Sequence, residues 1–452
     1  MERTLIKDLP GQIGKEIRID AVVSVARQQG KMAFFDFRDY TSVIQGVVFG
    51  KPEVLEVAKT IGEEYSVTVT GIVNERPEKM INDKVENGNI ELEITGLEVL
   101  NTSEAMPFDQ DADLNIETLL DYRPLTLRQP RQRAVFAIQS TITRAYGEFL
   151  RQEGFTEFQA PKLVGNDAEG GAEVFKVKYF KNVEAALSTS PQLYKQIMVG
   201  VFERVFSFAT AFRAEKSATS RHLSEYTSLD MEMGFIKDHT DVMKVETGLM
   251  KYIVESLKEH NQKDLETLEV ELPQIPEGDT FPHMKLREAQ ELIKKETGED
   301  KTKEPDLEPE DERWLCEYAK KELGSDFIFI THYPVAKRPF YTYEDENDPG
   351  FTKSFDLLFR GVEITTGGQR VHDLEVLKSK AEAKGLDLSK FDFYFQAFKY
   401  GVPPHGGWGM GLERLTAKFC GVQNVKEATL FPRDINRIDT FTSKEQSDSA
   451  EI

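Results

Sequence analysis

Several residue types and patterns that define common protein classes are scarce in this chain. It has only two cysteines, Cys316 and Cys420, and no CxxC pair, which argues against a disulfide framework and against a cysteine zinc site. No apolar run approaches the length of a membrane span, and the stretch MERTLIKDLPGQIGKEIRID lacks the apolar core of a signal peptide. We therefore expect a cytoplasmic protein without a membrane partner.

Basic residues are the minority charge. Lys and Arg number 57 against 78 Asp and Glu, which gives a formal net charge of −21. This charge argues against a protein that coats nucleic acid indiscriminately, although the chain can still contain a local basic groove. The GxxxxGK[ST] spacing of a P-loop is also absent. Because the chain has 452 residues, we expect two or three domains.

Residues 1–102 are predicted to form a small β-barrel. Short β-branched or aromatic runs alternate with polar turns, and one helical segment, KPEVLEVAKTIG, separates the third run from the fourth. Five strands in this order are typical of an OB-fold, whose face commonly binds single-stranded nucleic acid. A barrel with a purely structural role is the alternative, and the residues alone do not decide between the two.

The rest of the chain is predicted to contain a linker, a large domain and a tail. Residues 103–130 have the acids, prolines and turn formers of a linker, and residues 131–441 form the large domain. Within it, residues from about 240 to 325 resemble an inserted, solvated helical module, and the polar tail 442–452 is predicted to be disordered. The domain begins with a long helix whose apolar stripe comprises Val135, Ile138, Ile142, Tyr146 and Phe149.

The stretch FSFATAFRAEKSATSRHLSEYTSLDMEMGF is predicted to form an antiparallel hairpin with one core face and one polar face. Side chains alternate along a strand, so the first strand directs its phenylalanines to the core and its small residues, with Arg213 and Glu215, to the other side. The returning strand directs Leu229, Met231, Met233 and Phe235 to the core, and Tyr226, Ser228, Asp230 and Glu232 to the polar face. Arg221 and His222 lie in the connecting loop, and cations beside an aromatic ring suit a nucleoside triphosphate. An exposed face with salt bridges is the alternative.

A second hairpin is predicted in SFDLLFRGVEITTGGQRVHD. A two-residue turn at Arg360 and Gly361 pairs Phe359 with Val362 and Asp356 with Thr365, which places Asp356 and Glu363 on one face. Mg²⁺ prefers few carboxylates together with phosphate or water oxygens, so this pair is a candidate Mg²⁺ site. A surface acidic pair is the alternative.

The third candidate segment is PPHGGWGMGLERLTAKFCG. Its glycines, including Gly411, allow a backbone to pass close to a ligand, and LERLTAKF continues as a helix that carries Arg414. A glycine-rich turn that serves only tight packing is the alternative.

These segments, in this order, resemble the signature motifs of class II aminoacyl-tRNA synthetases. GFTEFQAPKL is similar to the first motif, FRAEKSATSRHLSEY to the second and GMGLERL to the third. EGGAEVF, SPQLYKQ, RPFYT, GGQRVHD, YGVPPHGG and LFPRD resemble more narrowly the aspartyl-tRNA synthetases of archaeal and eukaryotic type, in subclass IIb. The resemblance covers almost the whole chain. It implies an α+β fold, with an N-terminal OB-fold barrel and a catalytic domain built on a mixed, mainly antiparallel sheet flanked by helices.

The resemblance also implies roles at the nucleotide site. Arg213 would hold the α-phosphate and the substrate carboxylate, Glu215 would read the adenine amino group, and Tyr226 would stack on the adenine. Arg213, Glu363 and Arg414 would be the catalytic residues. The remaining ATP-binding residues would be Arg221, His222, Leu223 and Gly411.

The resemblance also implies a second set of residues, which would bind the amino acid and the Mg²⁺ cofactor. Lys195 and Arg370 would read the carboxylate of L-aspartate, and Glu169 and Gln192 would hold its ammonium group. Glu363 and the hydroxyl of Thr366 would ligate Mg²⁺, with Asp356 close enough to assist, and Thr366 would also contact aspartate. Relatives usually carry serine at position 366, so the hydroxyl is kept. They usually carry glutamine at Thr189 and alanine at Gly368, and neither difference removes a charged group.

The resemblance further implies RNA and protein partners. Phe34 would stack on the central anticodon base of a tRNA, and Gln45 and Glu91 would read its neighbours. GFTEFQAPKLVG resembles a dimer-interface motif, and the stripe of the preceding helix was expected to need a surface to bury it, so we expect a homodimer.

The implied function is the activation of L-aspartate with ATP and its transfer to the tRNA 3′ end. An asparaginyl enzyme is the alternative within the class, and a non-catalytic paralogue that only binds RNA or a partner is the alternative outside it. The sequence leaves open whether only the aspartate tRNA is charged or the asparagine tRNA as well.

Overall fold

The chain divides into two units, Met1–Ala112 and Asp113–Ile452, each with its own hydrophobic core. The computed structural model describes residues 1–82, 85–109, 112–165, 173–216 and 219–439. Glu169 and the predicted disordered tail, 442–452, lie outside the described residues. Within the described ranges, no helix is long and apolar enough to span a bilayer.

The first unit is a closed five-stranded barrel with the order β1-β2-β3-β5-β4. Buried and partly exposed residues alternate along each strand, because side chains on a strand point alternately into and out of the barrel. The predicted OB-fold is confirmed, including the helix between the third and fourth strands. Its elements are β1 (Glu16–Gln29), β2 (Met32–Arg38), β3 (Val43–Val48), α1 (Pro52–Ala58), β4 (Ser66–Glu75) and β5 (Ile90–Asn101), with 3₁₀ helices at Ile6–Gln12 and Glu78–Met80.

The second unit is an α+β structure, as the sequence predicted. An eight-stranded sheet with the order β12-β13-β14-β15-β16-β11-β10-β6 is antiparallel except at its two edge pairs, and a three-stranded sheet has the order β7-β9-β8. The strands are β6 (Thr156–Glu157), β7 (Leu163–Val164), β8 (Lys176–Lys178), β9 (Glu184–Leu187), β10 (Arg204–Phe212), β11 (Glu225–Gly234), β12 (His283–Lys285), β13 (Phe327–Thr331), β14 (Ser354–Phe359), β15 (Val362–Arg370) and β16 (His405–Gly411).

Helices cover the large sheet and extend from its edges. They are α2 (Ile116–Asp121), α3 (Arg123–Thr126), α4 (Pro130–Gln152), α5 (Gln192–Phe202), α6 (His239–His260), α7 (Gln262–Leu268), α8 (Leu286–Thr297), α9 (Pro309–Leu323), α10 (Leu374–Ala383), α11 (Asp392–Lys399) and α12 (Leu412–Phe419), with 3₁₀ helices at Phe180–Asn182, Val335–Lys337 and Leu388–Phe391.

The apolar stripe of α4 is buried within its own chain. Val135, Ile138, Ile142 and Tyr146 have no exposed surface, because α4 packs against α6, α7 and α12. The premise that this helix needs a second subunit to cover its stripe is therefore wrong.

The prediction of a separate solvated module at residues 240–325 is also wrong. Helix α6 contributes Met243, Leu249, Met250 and Ile253 to the main core, and these side chains are fully buried. Strands β12 and β13 belong to the large sheet itself. The polar residues that suggested solvation lie on the outer faces of these helices, whereas their apolar faces meet the sheet.

The C-terminal part of the predicted linker, 103–130, is helical. Helices α2 and α3 lie in it, and the side chain of Arg123 is buried. Its guanidinium donates hydrogen bonds to the carbonyl oxygens of Glu427, Thr429 and Leu430, at 3.1, 2.7 and 2.9 Å. This arginine therefore links the first helices of the second unit to the segment 427–430, near the end of that unit.

The hairpin β10–β11 has the predicted two faces. Ala211 pairs with Tyr226 and Ser207 pairs with Asp230, so the small residues lie opposite the polar ones. The phenylalanine face packs on the main core, with Phe206 fully buried. Phe235, predicted to face the core, is 70% exposed because the strand ends at Gly234 and Phe235 adopts a φ of 57°.

Strands β14 and β15 form the second predicted hairpin, with a β-bulge. Arg360 and Gly361 have φ angles of 46° and 81°, as a two-residue turn requires, and Phe359 pairs with Val362. The bulge inserts one extra residue into β15, so Asp356 pairs with Thr366 and not with Thr365 as predicted. Asp356, Glu363 and Thr366 consequently share one face of the sheet.

Candidate active site

A cavity of about 410 Å³ lies over the polar face of the large sheet. It brings together most of the site residues predicted in the second unit, which come from the two hairpins, from the loop after β10, and from α5, β16 and α12. Its lining comprises Ser190, Gln192, Arg213, Glu215, Arg221, His222, Leu223, Tyr226, Ser228, Asp230, Arg338, Pro339, Tyr341, Glu363, Ile364, Thr366, Arg370, Gly409, Met410, Gly411, Glu413, Arg414 and Val425.

One end of the cavity carries a cation over an aromatic ring. The guanidinium of Arg213 lies 5.6 Å from the ring centre of Tyr226, which comes from the facing strand. Glu215 lies 3.7 Å from Arg213 and 3.8 Å from the ring nitrogen of His222. All of these charged groups are partly exposed, so water screens their mutual attraction and a polyanion can replace it. We call Arg213, Glu215, Arg221, His222, Tyr226 and Arg414 the open end.

Two further arginines of the open end are held by acidic residues. Arg221 Nη1 lies 3.2 Å from Glu312 Oε2, on α9. Arg414 Nη1 donates a 2.7 Å hydrogen bond to the backbone oxygen of Glu363. Burial raises the pKa of Glu312 to about 7, and the neighbouring Glu363 adds to that rise. Each of these arginines is therefore held at the cavity by a contact within the chain.

The candidate Mg²⁺ ligands lie between the two ends of the cavity. The hydroxyl of Thr366 donates a 2.7 Å hydrogen bond to Glu363 Oε1, and both residues line the cavity. Asp356 lies behind them, 4% exposed, with its carboxylate 2.7 Å from Arg338 Nη2. Burial raises the pKa of Asp356 to about 6 even though Arg338 opposes the rise. Asp356 is already paired with Arg338. Glu363 and Thr366 are therefore more accessible to an ion in the cavity than Asp356 is.

The opposite end of the cavity is a network of buried charges. Lys195 Nζ lies 2.8 Å from Asp230 Oδ1 and 3.5 Å from Glu232 Oε2, and it donates to the carbonyl oxygen of Trp408 at 2.7 Å. Arg370 Nε donates to Glu232 Oε1 at 2.9 Å. Lys195 has no exposed surface, which excludes the surface lysine that its helical position alone would suggest. We call Lys195, Asp230, Glu232 and Arg370 the closed end.

The closed end keeps its charges through mutual pairing. Burial opposes ionisation of Glu232, but Arg370 and Lys195 together outweigh it and hold the pKa of Glu232 below its usual value. Removal of one member would leave a buried charge without its partner, which typically costs about 3–5 kcal/mol. The network is therefore rigid as well as charged.

Close packing of the backbone makes room for this network. A Cβ atom on Gly407 would lie 2.0 Å from the carbonyl oxygen of Met231, so β16 approaches β11 more closely than a side chain would permit. The carbonyl oxygen of Gly407 accepts a hydrogen bond from Arg370 Nη2 at 2.9 Å. The glycines of this segment thus serve tight packing and the site together.

The structure places the predicted residues of this unit in three groups. Gln192, Arg213, Glu215, Arg221, His222, Leu223, Tyr226, Glu363, Thr366, Arg370, Gly411 and Arg414 line the cavity, whereas Lys195 and Asp356 are buried behind its wall. Glu169 lies outside the described residues.

Sequence reasoning missed several residues of the site. Asp230 and Glu232 were placed on the polar face without a role, although consecutive acidic side chains facing a cavity were a usable signal. Arg338, the first residue of the RPFYT stretch, lines the cavity, but no periodicity or spacing indicates a role for it. Glu312 could not have been found, because its helix was assigned to a separate module.

The outer face of the barrel carries the predicted base-reading residues. Phe35 and Phe37 are buried in the barrel core, and Phe34, which precedes them on β2, lies on the outer, partly exposed face. Arg76 Nη2 donates a 2.7 Å hydrogen bond to Gln45 Oε1, and its Nε lies 3.6 Å from Glu91. One cation thus holds both polar residues on one part of the barrel surface.

Comparisons with known proteins agree for both units. Residues 115–435 match the model of the class II tRNA synthetases (D, K and N), and residues 17–100 match that of the OB-fold nucleic acid binding domain. An aspartate–tRNA(Asp/Asn) ligase of Deinococcus radiodurans is 42% identical, over 97% of this chain and 99% of that protein. An aspartate–tRNA(Asp) ligase of Pyrococcus furiosus is 37% identical, over 94% of this chain and 96% of that protein.

Solved structures show the same relationship. A putative aspartyl-tRNA synthetase of Leishmania major has a TM-score of 0.88 and 30% identity, and covers 96% of this chain and 94% of its own. An asparaginyl-tRNA synthetase of Pyrococcus horikoshii, complexed with asparaginyl-adenylate, has a TM-score of 0.87 and 32% identity, and covers 97% and 99%. With both units matched, and with relatives above 30% identity over nearly the whole chain, this protein belongs to the class II tRNA synthetases of the D, K and N group.

Proposed function

We propose that this protein activates L-aspartate with ATP and transfers it to the 3′ end of a tRNA. The observation that carries the proposal is the closed end of the cavity, where Arg370 reaches the cavity wall beside the buried Lys195. Two buried cations at the end of a small cavity favour a ligand with a carboxylate, and a planar guanidinium binds a carboxylate better than an amide.

The closed end can also take the ammonium group of an amino acid. Asp230 lines the cavity, and its Oδ2 has no hydrogen-bond partner among the described residues. A buried acceptor without a donor is costly, and an ammonium group in the cavity would remove that cost. Aspartate supplies both complementary charges, a carboxylate for Arg370 and Lys195 and an ammonium for Asp230.

The open end suits the nucleotide. Tyr226 offers its ring to the adenine, Arg213 lies where an α-phosphate would bridge the two ends, and Arg221 with Arg414 would hold the terminal phosphates. Glu363 and the Thr366 hydroxyl fit a Mg²⁺ ion, which binds through few protein oxygens and several phosphate or water oxygens. When bound, that ion would neutralise phosphate charge during the reaction.

The reaction requires no nucleophile from the protein. An oxygen of the aspartate α-carboxylate attacks the α-phosphorus of ATP, the bond to the bridging oxygen of the β-phosphate breaks, and pyrophosphate leaves. Catalysis then depends on alignment and on charge neutralisation, which Arg213 and Arg414 would supply at the open end. The 3′-terminal hydroxyl of the tRNA subsequently attacks the acyl-adenylate and releases AMP.

ATP–pyrophosphate exchange tests this proposal, because it requires only the first step. We expect exchange with L-aspartate and little exchange with L-asparagine at equal concentration. Exchange with L-asparagine and little exchange with L-aspartate would support an asparaginyl enzyme instead, as in the Pyrococcus horikoshii structure. Exchange with neither would support the non-catalytic paralogue, although Arg213, Glu215, Glu363 and Arg414 are all present at the cavity.

We further propose that Phe34, Gln45 and Glu91 on the barrel read the anticodon. Phe34 lies on β2, Gln45 on the neighbouring β3 and Glu91 on β5, and an aromatic ring beside polar side chains is a usual platform for single-stranded RNA. The relatives include ligases named for tRNA(Asp) and ligases named for tRNA(Asp/Asn), so the choice of tRNA needs a direct measurement. Aminoacylation of the two purified tRNAs, compared at equal enzyme concentration, supplies it.

A homodimer is proposed from the resemblance of GFTEFQAPKLVG to an interface motif. In this segment Leu163 is 47% exposed, although it lies on a strand. Sedimentation velocity should give twice the mass of 51.5 kDa. An active enzyme that sediments as a monomer would contradict the proposal.

A further inference from the structure

The hairpin β8–β9 ends in a group of exposed aromatic and basic side chains. Every residue from Lys178 to Glu184 is exposed, and we call this segment the hairpin tip. Phe180 is 78% exposed and Tyr179 48%, and their rings meet edge to face with centroids 5.1 Å apart. Adjacent rings at this exposure contribute little to the core of a three-stranded sheet, so packing alone does not account for them.

The backbone of the tip holds these side chains outward. Lys181 and Asn182 have φ angles of 56° and 60°, and Tyr179 N donates to the Val183 carbonyl oxygen at 2.9 Å. This tight turn fixes the direction of the two rings. Lysine, a residue that rarely adopts a positive φ, occupies the turn position where glycine or asparagine is usual.

The charge of the hairpin is opposite to that of the chain. Lys176, Lys178 and Lys181 lie on or next to the tip, where Glu184 is the acidic residue and lies 3.8 Å from Lys176. The chain as a whole carries a charge of −21, so this is a local positive surface on an acidic protein. Aromatic rings flanked by lysines are the usual platform for single-stranded nucleic acid, with bases on the rings and phosphates on the cations.

The base of the hairpin adjoins the cavity. Ala214 N donates to the Glu173 carbonyl oxygen and Phe212 N to that of Ser188, both at 2.9 Å, which joins the hairpin to the chain on either side of Arg213. Ser190, three residues after β9, lines the cavity. The seven Cα-to-Cα steps from Val183 to Ser190 span at most about 23 Å when extended, so the tip is within reach of a few nucleotides of RNA.

We propose that the hairpin tip binds the single-stranded 3′ end of the tRNA, with Tyr179 and Phe180 stacking on its bases and the three lysines contacting its phosphates. The inference rests on the proposed function and adds to it a second RNA contact, located beside the reaction and separate from the barrel. A stacked strand rises about 3.4 Å per nucleotide, so the tip would meet nucleotides up to about seven positions from the reacting end. The tip would hold the strand while its terminal hydroxyl enters the cavity.

The test measures RNA binding independently of aspartate. Fluorescence anisotropy would compare the full-length wild type with the double variant Tyr179→Ala/Phe180→Ala, using a labelled RNA stem-loop that ends in a single-stranded CCA and the same stem-loop with a blunt end. We expect the wild type to bind the overhanging RNA about ten-fold more tightly than the blunt one, and the variant to bind both alike. Equal binding of both RNAs by the wild type would overturn the proposal.

Charge and matched controls complete the design. Lys176→Ala/Lys178→Ala/Lys181→Ala should lower the slope of log K against log salt by about 2, since each contact to a single strand contributes about 0.7. Tyr400→Ala is the matched control, because Tyr400 is also 78% exposed and next to a lysine, at the end of α11. It should leave RNA binding unchanged, and an equal loss in this control would overturn the proposal.

Two enzymatic readouts distinguish this inference from the function on which it rests. The double variant should keep ATP–pyrophosphate exchange with aspartate and show a KM for tRNA raised about ten-fold in aminoacylation. Loss of exchange in the variant alone would mean that the hairpin supports the cavity, and it would overturn the RNA contact. Absence of exchange in the wild type would contradict the proposed function, and the RNA contact would then be judged from the anisotropy result alone. A variant that sediments as a smaller species than the wild type would identify the tip as a subunit contact instead.

Discussion

The two ends of the cavity handle charge in opposite ways. At the closed end, the side chains of Lys195 and Glu232 are 1% and 0% exposed and are paired at short range. At the open end, Arg213 and Arg414 are 39% and 35% exposed and their contacts to acidic groups are longer. Buried pairs cost too much to be disturbed, whereas exposed pairs exchange partners readily. The proposed amino-acid pocket is therefore a fixed network of charges, whereas the proposed nucleotide site is an adaptable one.

Lys195→Ala should break the closed end and have the largest effect. It leaves Asp230 and Glu232 without their shared cation, so we expect aspartate-dependent exchange to fall more than about 100-fold and the free energy of unfolding to fall by about 3–5 kcal/mol. Exchange kinetics and thermal unfolding measure the two effects. Lys258→Ala, which removes an exposed lysine of α6, is the control and should change neither. Intact aspartate activation in Lys195→Ala would contradict the assignment.

Glu363→Gln should lower pyrophosphate exchange about as much as Lys195→Ala does, but it should not lower the stability of the protein. The side chain is 34% exposed at the cavity, so amidation removes a proposed Mg²⁺ ligand but leaves no buried charge unpaired. We expect exchange to fall about 100-fold or more, with a melting temperature within about 1 °C of wild type. Glu375→Gln, an exposed glutamate on α10, serves as the reference. Normal exchange in Glu363→Gln would exclude the Mg²⁺ role.

The barrel offers the same contrast of buried and exposed residues on one strand. Phe34→Ala should raise the KM for tRNA about ten-fold and spare exchange, because its ring lies on the outer face. Phe35→Ala should lower the stability of the barrel by about 3–5 kcal/mol, because that ring is 1% exposed in the core. Each variant is the control for the other. The reverse pattern, with the tRNA effect in Phe35→Ala, would mean that the anticodon is read elsewhere.

Glu246→Gln tests a buried acid that has no ion-pair partner among the residues that the structure describes. Glu246 lies on α6 beneath the sheet, close to Thr365, and burial raises its pKa to about 8. The folded protein therefore binds this proton more tightly than the unfolded chain, so the contribution of Glu246 to stability is greatest below a pH of about 4.5 and falls by about 1.4 kcal/mol per pH unit until about pH 8.

The Gln variant does not titrate, so it should gain stability over the wild type as the pH rises from 5 to 8. Chemical denaturation at several pH values measures the difference, and Glu255→Gln, on the exposed face of α6, should follow the wild type. A constant difference between Glu246→Gln and the wild type across this range would show that Glu246 is ionised throughout.

Local patterns predicted much of the fold. Alternation along β10 and β11 placed Arg213, Tyr226 and Asp230 on one face, because strand geometry is a property of the backbone. The closing turn at Arg360 and Gly361 was predicted for the same reason. These features depend on residues that are close in the sequence, so they could be predicted without the structure.

Features that depend on distant parts of the chain were missed. The polar residues of helix α6 suggest a surface location, but its apolar face is covered by α4, a helix that ends more than 80 residues earlier in the chain. Glu312 reaches Arg221 across 91 positions. The predicted pairing of Asp356 is wrong by one residue, because nothing in the local sequence pattern indicates the β-bulge. Such contacts are set by tertiary packing, which periodicity does not encode.

The bulge in β15 has a consequence for comparing and redesigning related chains. In a regular strand, residues three apart point to opposite faces, yet Glu363 and Thr366 point the same way and share a hydrogen bond because Ile364 is the extra residue between the paired positions. The functional unit is therefore the spacing E-x-x-T together with its inserted residue. Deleting Ile364 would leave Glu363 and Thr366 two residues apart and still on one face, whereas a regular strand of unchanged length, without the bulge, would turn the Thr366 hydroxyl away from the Glu363 carboxylate.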